Sequence, residues 1–196
     1  IDQKPWGIAP AISEQIYTLE DALLFAGMQM VILRNADVIK IACQSLLTNI
    51  SACIMTEKNG EYWLQTIYYP FHYFATYAKG TVLKTASIGP CYSCAEFDGV
   101  PYVDSLVVWN EEDQELVIFA VNRSEEELQK AEVDLQDFEI QHVIESICMT
   151  AENKKMTNME QHDAVIPKKE KNVEIETGRC QITLQPLSFN MVRLAV

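Results

Sequence analysis

An α/β segment followed by an all-β domain is the fold class this sequence predicts. It reads as the C-terminal remnant of a (β/α)8 barrel over residues 1–80, then an antiparallel β-sandwich over residues 81–196. Three observations predict it. Val38–Cys43 is an apolar run of strand type, interrupted only by Lys40 and followed by a stretch ending in polar residues, the pattern of a strand buried between layers in a parallel sheet. Pro70 and Gly80 bracket a helix in the Pro-first, Gly-last order. After Gly80, short runs alternate apolar and polar residues with turn signals between them, as half-buried antiparallel strands do.

Each element has its own local reason. Residues 1–17 hold Pro5, Gly7 and Pro10 and read as a loop. Thr18 caps a helix, with Asp21 as its reciprocal partner three residues on. Leu19, Leu23, Ala26, Met30 and Leu33 then form one apolar stripe. That stripe is expected to pack on a barrel wall, and Met28 and Met30 are read as core packing. The helix is expected to end near Asn35. Val38–Cys43 follows as the last barrel strand, then an irregular stretch through Gly60, then helix Pro70–Lys79. The β-part should contain strands Thr81–Ser87, Tyr102–Trp109, Glu115–Val121, Glu127–Leu135, His142–Cys148, Asn172–Glu176, Cys180–Leu184 and Phe189–Val196. Asn110–Gln114 joins two of these as a polar hairpin loop, and Gly178 turns another hairpin. Val107, Trp109, Val117, Phe119 and Val121 are expected on one inward face. Thr150–Lys171 lacks periodicity and reads as a long surface loop.

Composition excludes several functions. The 196 residues are 48% hydrophobic, a globular proportion, with no apolar run of transmembrane length. The net charge of −13 argues against nucleic acid or an anionic membrane as partner. Ile1 is followed by Asp2, Gln3 and Lys4, so the chain is expected to begin inside a longer protein. Cys43 and Cys53 stand in apolar contexts and read as core thiols. Cys91 and Cys94 form a CxxC, but His72, His142 and His162 are isolated, so neither a metal site nor a redox centre is expected. Reduced thiols point to a cytoplasmic protein.

IKIACQSLLTN, QTIYYPF and YAKGTVL, in that order, resemble the end of the barrel in the α-L-arabinofuranosidases of glycoside hydrolase family 51. The upstream KPWGIAPAISEQIYTLEDALLFAGMQMVILRNAD is similar to that family's preceding loop and helix. VPYVDSLVVWNEEDQELVIFAVNRS and LSFNMVRL resemble its C-terminal β-domain. The resemblance implies that the intact protein is a retaining glycosidase that removes terminal arabinofuranosyl groups from arabinan- or arabinoxylan-derived oligosaccharides. It implies no cofactor, and a homo-oligomer. It also makes Val38–Cys43 the eighth barrel strand, whose end lines the sugar pocket.

The family's glutamine at that strand end falls on Leu46 when the sequences are aligned through Cys43 and Asn49. Gln44 stands two residues earlier. The candidate substrate-binding residues are therefore Gln44, Leu46 and Asn49. Either Gln44 replaces the glutamine by a local shift, or this branch contacts the sugar differently. Equally, Gln44, Thr48 and Asn49 could merely satisfy backbone at a strand end.

Retaining hydrolysis needs two carboxyl groups about 5–5.5 Å apart, drawn from different barrel strands. Neither of the family's carboxylate motifs occurs here, so no catalytic residue is assigned. Asp21 is a capping residue and Glu20 a helix-start charge; Asp2, Glu14, Glu57 and Glu61 lie in polar loops. The aromatics Trp63, Tyr68, Tyr69, Phe71, Tyr73, Phe74 and Tyr77 read as packing between the barrel end and its neighbour rather than as sugar platforms. The competing class is a non-catalytic accessory sandwich that stabilises a barrel, assembles subunits or holds glycan.

Overall fold

The computed structural model describes residues 15–135, 137–176 and 178–196, and the readings of Pro5, Gly7, Pro10, Asp2 and Glu14 lie outside them. The described residues are mostly β-sheet with two helices. In order these are α1 (Leu19–Arg34), β1 (Ile54–Thr56), β2 (Tyr62–Leu64), α2 (Tyr68–Tyr77), β3 (Thr81–Leu83), β4 (Cys91–Tyr92), β5 (Val100–Pro101), β6 (Val103–Asn110), β7 (Glu115–Asn122), β8 (Gln129–Asp134), β9 (His142–Met149), β10 (Lys168–Lys169), β11 (Val173–Glu176), β12 (Arg179–Leu184) and β13 (Ser188–Ala195).

The centre is an antiparallel sheet in the order β10-β9-β13-β7-β6-β3. One face is covered by α1 and α2, the other by the sheet β11-β12-β8. β7 sits mid-sheet with neighbours on both edges and layers on both faces, so all of its residues are buried. That overrides the expected alternation. β8, at the rim of the small sheet, does alternate half-buried and exposed.

The register corrects the predicted inward face. Leu106 lies opposite Phe119 and Val108 opposite Val117, so these point at the helices together with Val121. Val107 lies opposite Ile118 and Trp109 opposite Leu116, and this set points at the small sheet. Cross-strand partners share a face, so Val107 and Trp109 must face away from Val117 and Phe119.

α1 begins as expected. The Thr18 N–H donates to Asp21 Oδ2 at 2.8 Å, and the Asp21 N–H donates to Thr18 Oγ1 at 3.3 Å. The free donors of its first turn are met by residues 150–171. Leu19 N donates to Met156 O at 2.9 Å and Glu20 N to Lys154 O at 3.0 Å. Asn158 and Val165 in the same segment are buried. This corrects the surface-loop reading: the segment is a strap closing the helix start.

The α1 stripe Leu19, Ala22, Leu23, Ala26 and Met30 is buried against α2 and the central sheet rather than awaiting a barrel wall. Met28, read as core, is 54% exposed, because it lies on the opposite side with Leu24 and Val31. Residues on both sides of Gly80 therefore share one core.

α2 places Pro70 in its first turn, where no intrahelical donor is needed. Gly80 exits at φ +117°, and a Cβ there would stand 2.1 Å from Trp109 O, so only glycine passes. The aromatics pack as read. The Phe74 ring lies 4.3 Å from Phe119, and Arg193 lies 4.4 Å over the Tyr77 ring.

Val38–Cys43 forms no strand among the described residues. Val38 is 76% and Ile41 83% exposed. A parallel strand needs hydrogen-bonding partners on both edges and helices on its faces, and no described segment supplies them. Cys43 is exposed for the same reason, against its reading as a core thiol; Cys53 is buried.

Candidate functional site

The residues read as a sugar-facing strand end fall on one irregular stretch, 44–53, that leads into β1. Gln44 is half-buried; its Nε2 donates to Ser45 O at 2.8 Å and Ser51 O at 3.4 Å. Leu46 is 50% exposed. Asn49 adopts φ +63° and Ser51 φ +53°, so the chain reverses through two left-handed non-glycine residues. The Asn49 carboxamide closes the reversal. Its Oδ1 accepts the Thr56 N–H at 2.9 Å, and its Nδ2 donates to Thr56 Oγ1 at 3.1 Å. Thr48 and Ile54 form an isolated parallel bridge across the same turn.

Sequence reasoning missed Gln65. It is 1% exposed, and its side chain reaches the carbonyl of Ala52 at 2.8 Å. A signal for it did exist: Gln65-Thr66 is a polar pair inside the apolar run Tyr62–Tyr69, and a buried carboxamide must find partners.

The carboxylates of this part are spoken for or solvated. Asp21 caps α1. Glu20 pairs with Lys154 and Lys155. Glu57 is exposed, and Glu61 lies 3.9 Å from His162 Nδ1 with its side chain 85% exposed. A second concavity of about 1000 Å³ lies between α1 and the β4–β5 ribbon. Leu24, Met28 and Val31 line one side, Tyr92 and Tyr102 the other. Asp104 in its lining pairs with Arg123, which also lines it, and with Arg34 beside it.

Burial raises the Cys148 and Cys180 thiols to about 11. Both are covered by neighbouring strands and act as apolar packing groups. Cys43, Cys91 and Cys94 are exposed and free.

The arrangement of two helices over a double β-layer has a counterpart. The family model of the alpha-L-arabinofuranosidase C-terminal domain matches residues 1–188. The chain belongs to that family. An intracellular exo-α-(1→5)-L-arabinofuranosidase of Halalkalibacterium halodurans is 42% identical over 190 residues, covering 97% of this chain and 38% of that protein. The corresponding Bacillus subtilis protein is 39% identical over 191 residues, with the same coverage of both. A solved family 51 α-L-arabinofuranosidase from Bifidobacterium longum superposes with a TM-score of 0.88 at 28% identity, over 99% of this chain and 38% of that one. The family 51 enzyme of Xanthomonas axonopodis pv. citri shares the fold with a TM-score of 0.86 at 22% identity.

The chain thus spans 38% of the length of those curated relatives. Among its described residues no helix is long and apolar enough to cross a membrane.

Proposed function

We propose that the chain works as the C-terminal part of a retaining exo-acting α-L-arabinofuranosidase. In this reading residues 1–80 finish a (β/α)8 barrel and residues 81–196 are the β-sandwich beside it. Val38–Cys43 is the eighth strand. Gln44, Leu46 and Asn49 at its end form part of the wall that receives a terminal arabinofuranosyl group of arabinan or arabinoxylan fragments. The acid/base and nucleophilic carboxyls come from the barrel strands before it. The observation that carries the reading is the exposed run Val38, Ile39, Ile41, Leu46 and Leu47, an apolar strand sequence with no strand partner among the described residues. Such a run fits a sheet whose neighbouring strands lie outside this chain.

The chain's own contribution is binding and support. The strand end shapes one side of the sugar pocket, and the sandwich holds α1 and α2, which in turn fix where that strand end lies. A cytoplasmic setting is part of the proposal, supported by relatives named intracellular and by three exposed free thiols. Homo-oligomerisation is also part of it, on the exposed apolar face of α1 formed by Leu24, Met28 and Val31.

The test is a pair of proteins. The 196-residue chain alone should not hydrolyse 4-nitrophenyl α-L-arabinofuranoside. A chimera joining it to the preceding part of the Halalkalibacterium halodurans relative should. Turnover by the chain alone, lost on substituting one of its own carboxylates, would sink the reading. A chimera that folds yet stays inert would do the same.

A further inference from the structure

Gln65 is a buried carboxamide with every polar atom used. Its Nε2 donates to Ala52 O at 2.8 Å and to Gln15 O at 3.0 Å, and its Oε1 accepts the Tyr17 N–H at 2.9 Å. Its backbone N–H donates to Cys53 O at 2.8 Å, and its own carbonyl accepts from Tyr68 N at 3.0 Å. One residue therefore ties together the segment entering α1, the turn after the strand end, and the start of α2.

The turn it holds carries two left-handed non-glycine residues. Asn49 and Ser51 both have positive φ. Non-glycine residues keep such conformations only where the surroundings over-determine them. The local bonds Asn49 N to Ile54 O, 2.8 Å, and Ala52 N to Asn49 O, 3.1 Å, close the turn on itself. Gln65 anchors it to the rest of the molecule. The connection runs on to the candidate pocket residues, because Ser51 O accepts from Gln44 Nε2 and Asn49 belongs to the turn itself.

We propose that Gln65 is a positioning residue, whose carboxamide holds the strained 49–53 turn so that Gln44 and Asn49 meet the terminal sugar in one fixed geometry. This rests on the reading of residues 44–49 as pocket wall. The chemistry demands a carboxamide. Methionine keeps the shape but offers no polar partner. Glutamate would set a carboxylate against the Ala52 and Gln15 carbonyls, with no N–H to give either.

The experiment compares Gln65→Met with Asn122→Leu. Asn122 is an equally buried carboxamide with Nδ2 bonds to Glu127 O, Leu184 O and Gln185 O, inside the β-part and remote from the turn. Amide hydrogen exchange is read on the 196-residue chain, and kinetics on the chimera. Gln65→Met should speed exchange about tenfold or more at Asn49, Ala52 and Thr56, as expected when a buried partner is lost. It should also raise KM for the aryl arabinofuranoside about tenfold with a smaller change in kcat, the mark of lost binding geometry. Asn122→Leu should loosen the β-part and leave both readouts at the turn unchanged.

If Gln65→Met does not fold, Gln65→Glu serves. Its turn should be loose at about pH 8 and tighten towards about pH 5.5, where a buried carboxyl regains a proton and a donor. Unchanged exchange at the turn overturns the positioning role whatever the chimera does. A loosened turn with unchanged KM overturns the link to the sugar, and with it the pocket-wall reading. An inert chimera overturns the proposed activity alone, and the exchange data still decide whether Gln65 holds the turn.

Discussion

Two apolar runs of strand type, Val38–Leu47 and Leu116–Val121, meet opposite fates in this molecule. The second is β7: bonded to β6 and β13 on its two edges, covered by helices on one face and by a sheet on the other. The first has no strand partner among the described residues, and Ile41 and Leu47 are 83% and 74% exposed. Sequence alone scarcely separates them. Apolar character records a propensity for burial. It does not record which chain supplies the partners. The contrast is physical, because a strand's stability resides in its neighbours and not in its own residues.

The strongest test of the contrast is to remove a large side chain from the paired run. Phe119 is fully buried against Phe74. Phe119→Ala should lower unfolding stability by about 3–5 kcal/mol, read by urea denaturation. A loss below about 1 kcal/mol would mean that this core is looser than its burial implies.

Next in size is the junction between the two regions. Gly80→Ala must place a methyl against Trp109 O and hold φ at +117°. It should cost about 1–3 kcal/mol for the backbone conformation alone. It should also detach β3 from β6 in hydrogen exchange. Wild-type stability would refute the clash.

How much of this was legible in the sequence follows from the range of the forces involved. The α1 start was readable because Thr18 and Asp21 are three residues apart and cap each other. Eight strands of the β-part were readable because each has its own apolar run and turn, whereas the two-residue strands β4, β5 and β10 were too short to leave one. The faces were not. Whether Val107 joins Val117 or Ile118 depends on how the Asn110–Glu115 hairpin sets the register, and a shift of one residue would exchange the two faces. β7 gave no help, since it is apolar on both sides. The strap at 150–171 was hidden for a different reason. It serves α1 through backbone carbonyls, which any sequence has. The site showed the same division. Gln44, Leu46 and Asn49 came from a family pattern, whereas the Gln65 contacts join residues up to 50 positions apart.

A smaller effect separates the buried thiols from the exposed ones. Cys148 and Cys180 are pushed up to about 11 from an ordinary 9.0 by burial. Above about pH 9 the unfolded chain loses these protons while the folded chain keeps them, so the folded state binds more protons and stability falls as pH rises. Their contribution is full below about pH 9 and gone by about pH 11. The melting temperature should therefore drop across that window, and replacing both cysteines with alanine should flatten the drop. At neutral pH a thiol reagent should label Cys43, Cys91 and Cys94 at once, and Cys53, Cys148 and Cys180 only on unfolding.

The smallest expected effect is on the unpaired run itself. In the 196-residue chain, Ile41→Thr and Leu47→Thr remove apolar surface that is already in water. Each should change unfolding stability by no more than about 0.5 kcal/mol. The same substitutions in the chimera act on the proposed strand Val38–Cys43 and on the stretch just past its end, both of which the proposed barrel would bury. There each should cost about 1–3 kcal/mol, because a hydroxyl replaces a buried alkyl group. The comparison thus turns on a single number measured twice. A large gap between the two backgrounds makes Val38–Cys43, with the stretch just past its end, a strand that waits for its partners. Equal, near-zero costs in both backgrounds would leave the run a surface segment in the longer protein too, and the eighth-strand reading would fall with it.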